Sequence, residues 1–146
     1  LIIVNVPSYA ETTELMKELD HSPDFKDIPR VLVTAQLPNQ DKEIPHFLSK
    51  KLDAFIMGLP SALETLQRAN ASESKACVLT SSASDPAMDD TNTLTAGLIE
   101  KNWSQVTTVM TCSIGLPTRV NLALAHGQPA CSSPHFTCVL RRRSTL

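Results

Sequence analysis

Two polar residues sit where chemistry would be done. Asn5 lies in the run Leu1–Val6 and Thr34 in the run Arg30–Ala35; both runs are short, apolar and rich in β-branched side chains. Such runs read as strands buried on both faces of a parallel sheet. The carboxyl ends of those strands, and the loops after them, are where open α/β sheets place ligands. An amide at Asn5 and a hydroxyl at Thr34 can hydrogen-bond there, but neither is an anion or an activated nucleophile. For Thr34, a strand-end hydroxyl bonded to its own loop is an equal reading.

Other chemistry-bearing residues are scattered. The four cysteines (77, 112, 131, 138) form no Cys-x-x-Cys pair, and borrowing His126 or His135 gives no usual zinc-ligand spacing. Buried or idle thiols in a reducing compartment are the simpler reading. No Gly-x-Ser-x-Gly, Walker lysine loop or His-Glu-x-x-His occurs, so hydrolase and nucleotide-binding motifs are lacking. His21 and His46 stand beside turn or helix-start residues and are expected to be exposed. Trp103, at a helix end, is expected to be a packing anchor. The Arg141-Arg-Arg-Ser144 run reads as a solvated chain end in preference to a phosphorylation or nucleic-acid motif.

Composition narrows the class. The 146 residues suffice for one domain with a sizeable core, and with only 4% aromatics that core must be aliphatic. A net charge of −2 lacks the basic footprint of a nucleic-acid binder. No apolar run approaches a membrane span, and the N-terminus has neither basic flank nor cleavage site. A cytoplasmic protein is expected. A start at Leu1, inside a strand and without methionine, reads as a fragment of a larger chain.

The elements that would position Asn5 and Thr34 follow in order. Glu14–Asp20 carries Leu15, Met16 and Leu19 at helical spacing, and His21-Ser-Pro-Asp24 is a turn. Asp41–Leu52 reads as a weak helix entered through Pro45, Asp53–Met57 as a third strand, and Ser61 with Glu64 as a capping box for a helix to Asn70. After a linker at 71–74 come a strand at Lys75–Thr80, a loop at Ser81–Asp90, and a helix to Asn102. That helix is capped by Asp90 or Thr91, with Leu94, Leu98 and Ile99 inward. Gln105–Met110 reads as a strand, Thr118–His126 as a helix stopped by Gly127, and 129–146 as an irregular tail in which Phe136–Leu140 could add a strand.

A strand ending in an acid-sized polar residue, a helix ending near Lys17-Glu-Leu19, then Ser22-Pro-Asp-Phe-Lys-Asp-Ile-Pro29 and a strand ending Thr34-Ala35 resemble part of a response-regulator receiver domain. The resemblance places the phosphoacceptor position on Asn5, the switch hydroxyl on Thr34 and its small neighbour on Ala35. An amide there cannot form an acyl phosphate. Where the family keeps a lysine followed by a proline, this chain has Met57-Gly58-Leu59-Pro60; Lys50 and Lys51 lie on the wrong side of the strand. Where it keeps a magnesium-binding acidic pair, this chain has Thr80, Ser81 and Ser82, with Asp85 displaced into the loop.

The resemblance covers residues 1–70 as the closing half of a receiver-like unit and 75–128 as the opening half of a second or permuted one. Either the chain straddles two tandem receivers of a hybrid histidine kinase, or the halves complete one permuted, flavodoxin-like α/β sheet flanked by helices; burial favours the second. The implied function is phosphorelay signal transduction by a module that accepts no phosphate. It would work through protein contacts on a face including Ile44, Phe47, Leu48, Phe55 and Leu63. The implied partner is a histidine kinase or phosphotransfer protein, with a homodimer as a further option. Neither independent catalysis nor a cofactor is expected, Mg2+ belonging to active family members. The alternatives are a small α/β nucleotide- or flavin-binding protein, or a truncated product whose second half does not fold.

Overall fold

The structure, a computed structural model, describes residues 1–38, 43–82 and 85–113. Five strands form one all-parallel sheet: β1 (Ile2–Val4), β2 (Val31–Thr34), β3 (Ala54–Met57), β4 (Ala76–Ser82) and β5 (Thr107–Ser113). Four helices connect them: α1 (Tyr9–His21), α2 (His46–Lys51), α3 (Leu63–Arg68) and α4 (Pro86–Asn102), with a 3-10 turn at Ala71–Glu73. The strand order is β3-β2-β1-β4-β5. As it stands this is the opening of the standard doubly wound order, and read cyclically from β4 it also matches the flavodoxin-like order. Pairing of β1 with both β2 and β4 puts residues 1–70 and 75–113 into one sheet, so the two segments complete each other.

Alternation along β1 explains the layers. Ile3 packs with Leu32, Val78, Leu15, Met16 and Leu19 of α1, and Leu48 of α2. Ile2 and Val4 face the other way, onto Val33, Cys77, Leu79, Leu66 of α3 and Ile99 of α4. A strand covered on both faces can be apolar throughout, which is why the runs at Leu1–Val6 and Lys75–Thr80 read as they do. Among the described residues, no helix is long and apolar enough to cross a membrane.

Several helix boundaries and faces differ from expectation. Helix α1 begins at Tyr9, five residues before Glu14, because Ser8 caps it: its Oγ accepts from the Glu11 amide and donates to the Glu11 carboxylate. Helix α4 begins at Pro86 with Asp85 as its cap, inside the segment expected to be loop; the proline fits the first turn and Asp85 accepts from the Ala87 amide. The Ser61–Glu64 box does not form; α3 starts after Ala62 without a side-chain cap. Helix α4 also buries a rotated stripe of Asn92, Thr95 and Ile99, while Leu94 is 62% exposed. Trp103 packs against the core at the end of α4, and His21 and His46 are exposed. The expected helix at 118–126, the Phe136–Leu140 run and the arginine triplet lie outside the described residues.

One buried charge was not anticipated. The Arg30 side chain is 4% exposed and donates to Asp20 at 2.8 Å, and Lys51 closes on the other Asp20 oxygen at 2.7 Å. Arg30 thus ties the start of β2 to α1, and Lys51 adds the end of α2. The hydrogen bond from Lys51, then that from Arg30, hold the Asp20 carboxyl below its ordinary value against the effect of burial.

Asp20→Asn leaves a buried guanidinium without its counter-charge and is expected to cost about 3 kcal/mol in urea unfolding at neutral pH. Because the folded-state value is depressed, the wild-type advantage is full above the ordinary carboxylate range, near ~4, and is lost as pH falls through the lower folded value. A second measurement concerns Cys77. It is fully buried and its thiol is pushed up to about 12 by desolvation. Peptide mapping after iodoacetamide at neutral pH is expected to leave Cys77 unmodified until denaturant is added.

Candidate functional site

The strand order reverses at β1. From β1 the chain steps outward through β2 to β3, then returns to lay β4 on the other side of β1. Ligands of doubly wound sheets bind at the carboxyl ends of the strands flanking that reversal. Here three side chains meet there. Asn5 donates through Nδ2 to Asn92 Oδ1 at 2.8 Å; Asn92 donates through Nδ2 to the Thr80 carbonyl at 2.9 Å. The Thr80 hydroxyl lies 2.8 Å from the Val4 carbonyl and 3.0 Å from that of Asn5. The three bonds close a ring joining the ends of β1 and β4 to α4.

This ring fixes the sense of each amide. The Thr80 carbonyl only accepts, so Asn92 must present Nδ2 to it and Oδ1 to Asn5. Asn5 must then present Nδ2 in return. Its backbone reinforces the choice: the Asn5 amide continues the ladder by donating to the Val33 carbonyl at 2.8 Å, and φ is 70°. That left-handed conformation is uncommon outside glycine, and asparagine is among the residues that tolerate it best.

Asn5 and Thr34 close neighbouring parallel strands, with Val4 in register with Val33. Both line one cleft of about 860 Å³, which also takes in Ala35, Phe55, Met57, Leu59, Asp85 and Met88. They are not hydrogen-bonded to each other. Thr34 turns its hydroxyl to the Gln36 carbonyl at 2.7 Å, the loop-bonded alternative for that residue. Ala35 is exposed beside it. The turn Met57-Gly58-Leu59-Pro60 closes the β3 end of the cleft. Gly58 is required there: a Cβ would stand 2.8 Å from Thr65 Oγ1.

The remaining site residues divide. Phe47 is 41%, Phe55 37% and Leu63 37% exposed, lying on α2, edge strand β3 and α3. Leu48 belongs to the core, fully buried, and Ile44 is half-buried against it, so Leu48 is withdrawn from any contact face. Met57 and Leu59, 49% and 61% exposed, extend the exposed group instead. Sequence reasoning missed Asn92, since one asparagine inside a helix looks like a surface residue. Its position seven residues before Ile99 was the available signal.

Among the described residues, no group of three or more His, Cys, Asp or Glu could hold a metal ion. Asp85 caps α4, and Ser81 is 5% exposed within β4. Comparison with protein-family models and with curated proteins returns no match.

Asn5→Asp replaces the donor to Asn92 Oδ1 with a second acceptor, inside a buried ring. It is expected to lower unfolding free energy by about 3 kcal/mol at pH 7. The deficit should shrink in acid, where the introduced carboxyl regains a proton to donate. Urea melts at neutral and acidic pH measure both. Asn92→Ala, which strands one donor and one carbonyl, is expected to cost about 2 kcal/mol.

Proposed function

We propose that the chain is a receiver-like module of a cytoplasmic phosphorelay, held out of the phosphorylation cycle and working through protein contacts. One observation carries the reading: Asn5 and Thr34 end adjacent parallel strands at a shared cleft, with an amide locked where an acceptor carboxylate would be needed. Two further facts support it. No lysine, arginine or histidine is among the described residues lining the cleft, so no cation stands ready for a phosphoryl group. The three residues at the end of β4 that would have to bind Mg2+ are hydroxyl-bearing, without a carboxylate.

Contacts would then be made across the sheet edge formed by α2, β3 and α3. Phe47, Phe55 and Leu63 stand there with Met57 and Leu59. Five of the six large exposed hydrophobics among the described residues belong to this one edge, which is more than single scattered exposures require. Strand β3 carries no charged residue to guard that edge. The partner in this reading is a histidine kinase or phosphotransfer protein. A nucleotide- or flavin-binding role has less support, because none of the described residues lining the cleft offers a ligand phosphate a positive charge.

Two measurements test the proposal together. Incubation with acetyl phosphate and Mg2+ is expected to give no hydroxylamine-labile label; stoichiometric labelling overturns the locked-amide reading. Titration with a phosphotransfer domain from the same source is expected to show binding that Phe55→Lys weakens by at least tenfold, the loss of one apolar anchor. Binding that is absent, or unaffected by Phe55→Lys, overturns the docking role.

A further inference from the structure

The sheet ends at β3, and the edge it leaves there is complementary to itself. Ala54 and Gly58 donate their amides inward, to the carbonyls of Arg30 and Thr34. Alternation along the strand then turns the backbone amide and carbonyl of Phe55 and of Met57 outward, where the sheet order has no further strand among the described residues. Both side chains are exposed and share the face of α2, while Ile56 turns to the face of α3. The flanks carry charges without partners. Glu43 just before α2, Lys50 on α2, and Glu64 and Arg68 on α3 are exposed and form no ion pair among the described residues. Lys51 and Asp53, also at this edge, are committed inside the fold, to Asp20 and to the Arg30 amide. On each flank the free acid comes first along the chain and the free base follows.

An unpaired strand flanked on both sides by acid-then-base order is complemented by a reversed copy of itself. We propose that the β3 edge pairs with the β3 edge of a second copy of this chain, antiparallel, about a two-fold axis through Ile56. The proposal rests on the contact role given to this edge above and names a second copy as its occupant. In that register Phe55 of each copy exchanges both backbone hydrogen bonds with Met57 of the other. Their side chains then lie opposite each other, a thioether against a ring on either side of the axis. Ile56 meets its own counterpart at the axis, and Ala54 stands opposite Gly58, small against small. The same rotation lays α2 and α3 antiparallel to their copies, bringing Glu43 toward Lys50 and Glu64 toward Arg68 across the axis. A copy running in the same direction sets like charges opposite instead. Pairing joins the two sheets and uses up both β3 edges, so association stops at two copies. A partner domain on this edge must first displace the second copy.

Sedimentation equilibrium of the full chain, from micromolar to millimolar concentration, is expected to show a monomer–dimer equilibrium that added salt weakens. Met57→Pro removes an outward amide that the fold does not use, at a place where an edge strand tolerates proline. It is expected to keep a dispersed 1H–15N NMR spectrum and to stay monomeric. Glu64→Arg is expected to weaken the dimer about tenfold, because symmetry repeats the repulsion on both sides of the axis. Glu64→Arg combined with Arg68→Glu exchanges the charges and is expected to restore the dimer. A monomer throughout the range, a weight that climbs past two copies, or a dimer unmoved by Met57→Pro overturns the proposal. Should Met57→Pro lose its dispersed spectrum, the exchange decides alone: no loss in Glu64→Arg, or no recovery in the double variant, overturns it. The two readings fail separately. A dimer that binds no phosphotransfer domain refutes only the phosphorelay, and a chain that binds the domain but never dimerises refutes only the self-pairing.

Discussion

A closed circuit of hydrogen bonds at the reversal of the strand order is the constraint from which the rest of this structure follows. Asn5, Asn92 and Thr80 each give and receive within it, and the two asparagines and Thr80 are all buried. Each bond adds only about 1 kcal/mol net, but each buried group left without its partner would cost about 1–3. The circuit therefore acts more through what it forbids than through what it adds. It forbids rotation of either amide, forbids a carboxylate at Asn5, and sets which face of α4 turns inward. Leu94 is left outside for that reason: the helix is turned to deliver Asn92 to the strand ends, and its apolar residues take the positions that remain.

That priority explains where the sequence could and could not be read. The buried strands were legible because a doubly covered strand needs a continuous apolar run, and Leu1–Val6, Arg30–Ala35 and Lys75–Thr80 show one. The strand order was legible as a permuted flavodoxin-like arrangement because two half-sheets with open edges would each leave helix faces uncovered. Start signals misled in both directions. Ser8 and Glu11 form a cap ahead of the apolar stripe, while Ser61 and Glu64 have the same spacing and form none. Spacing gives an opportunity for a cap, and the path of the incoming chain decides whether it is taken. The orientation of α4 was legible in part: Leu98 and Ile99 turn inward as their spacing indicates, but Leu94 does not. A polar bond across 87 positions leaves no trace in local periodicity.

The same logic governs Arg30. A cation inside an otherwise apolar run weakens the reading of a buried strand, yet Arg30 is among the most buried polar residues of the chain. It is kept there by Asp20, from a helix ten positions earlier, and by the Phe25 carbonyl at 3.5 Å. The turn between α1 and β2 is thus built around a guanidinium, and Lys51 joins the end of α2 to the same carboxylate. Pairs of this kind do less for net stability than for uniqueness, since a misplaced α1 would leave Arg30 buried alone. Polar contacts fix the arrangement at both ends of β2, and apolar packing fills what lies between.

Fold and site part company at the carboxyl edge. Parallel sheets of this type tend to present helix N-termini to ligands there, and the partial positive charge favours phosphates. In this chain the first turn of α1 carries Glu11 and the cap of α4 is Asp85, so the helix ends no longer invite anions. Asn5 brings no charge to the cleft, and no lysine, arginine or histidine among its described lining residues adds a positive one. The electrostatic sign at the strand ends, set by these few side chains, thus points away from the ligands the topology most often serves. Topology alone would favour a phosphate, whereas the described side chains at this edge answer the helix ends with carboxylates. Between the two, the residues decide, because a fold fixes where a ligand sits and the side chains fix what it is.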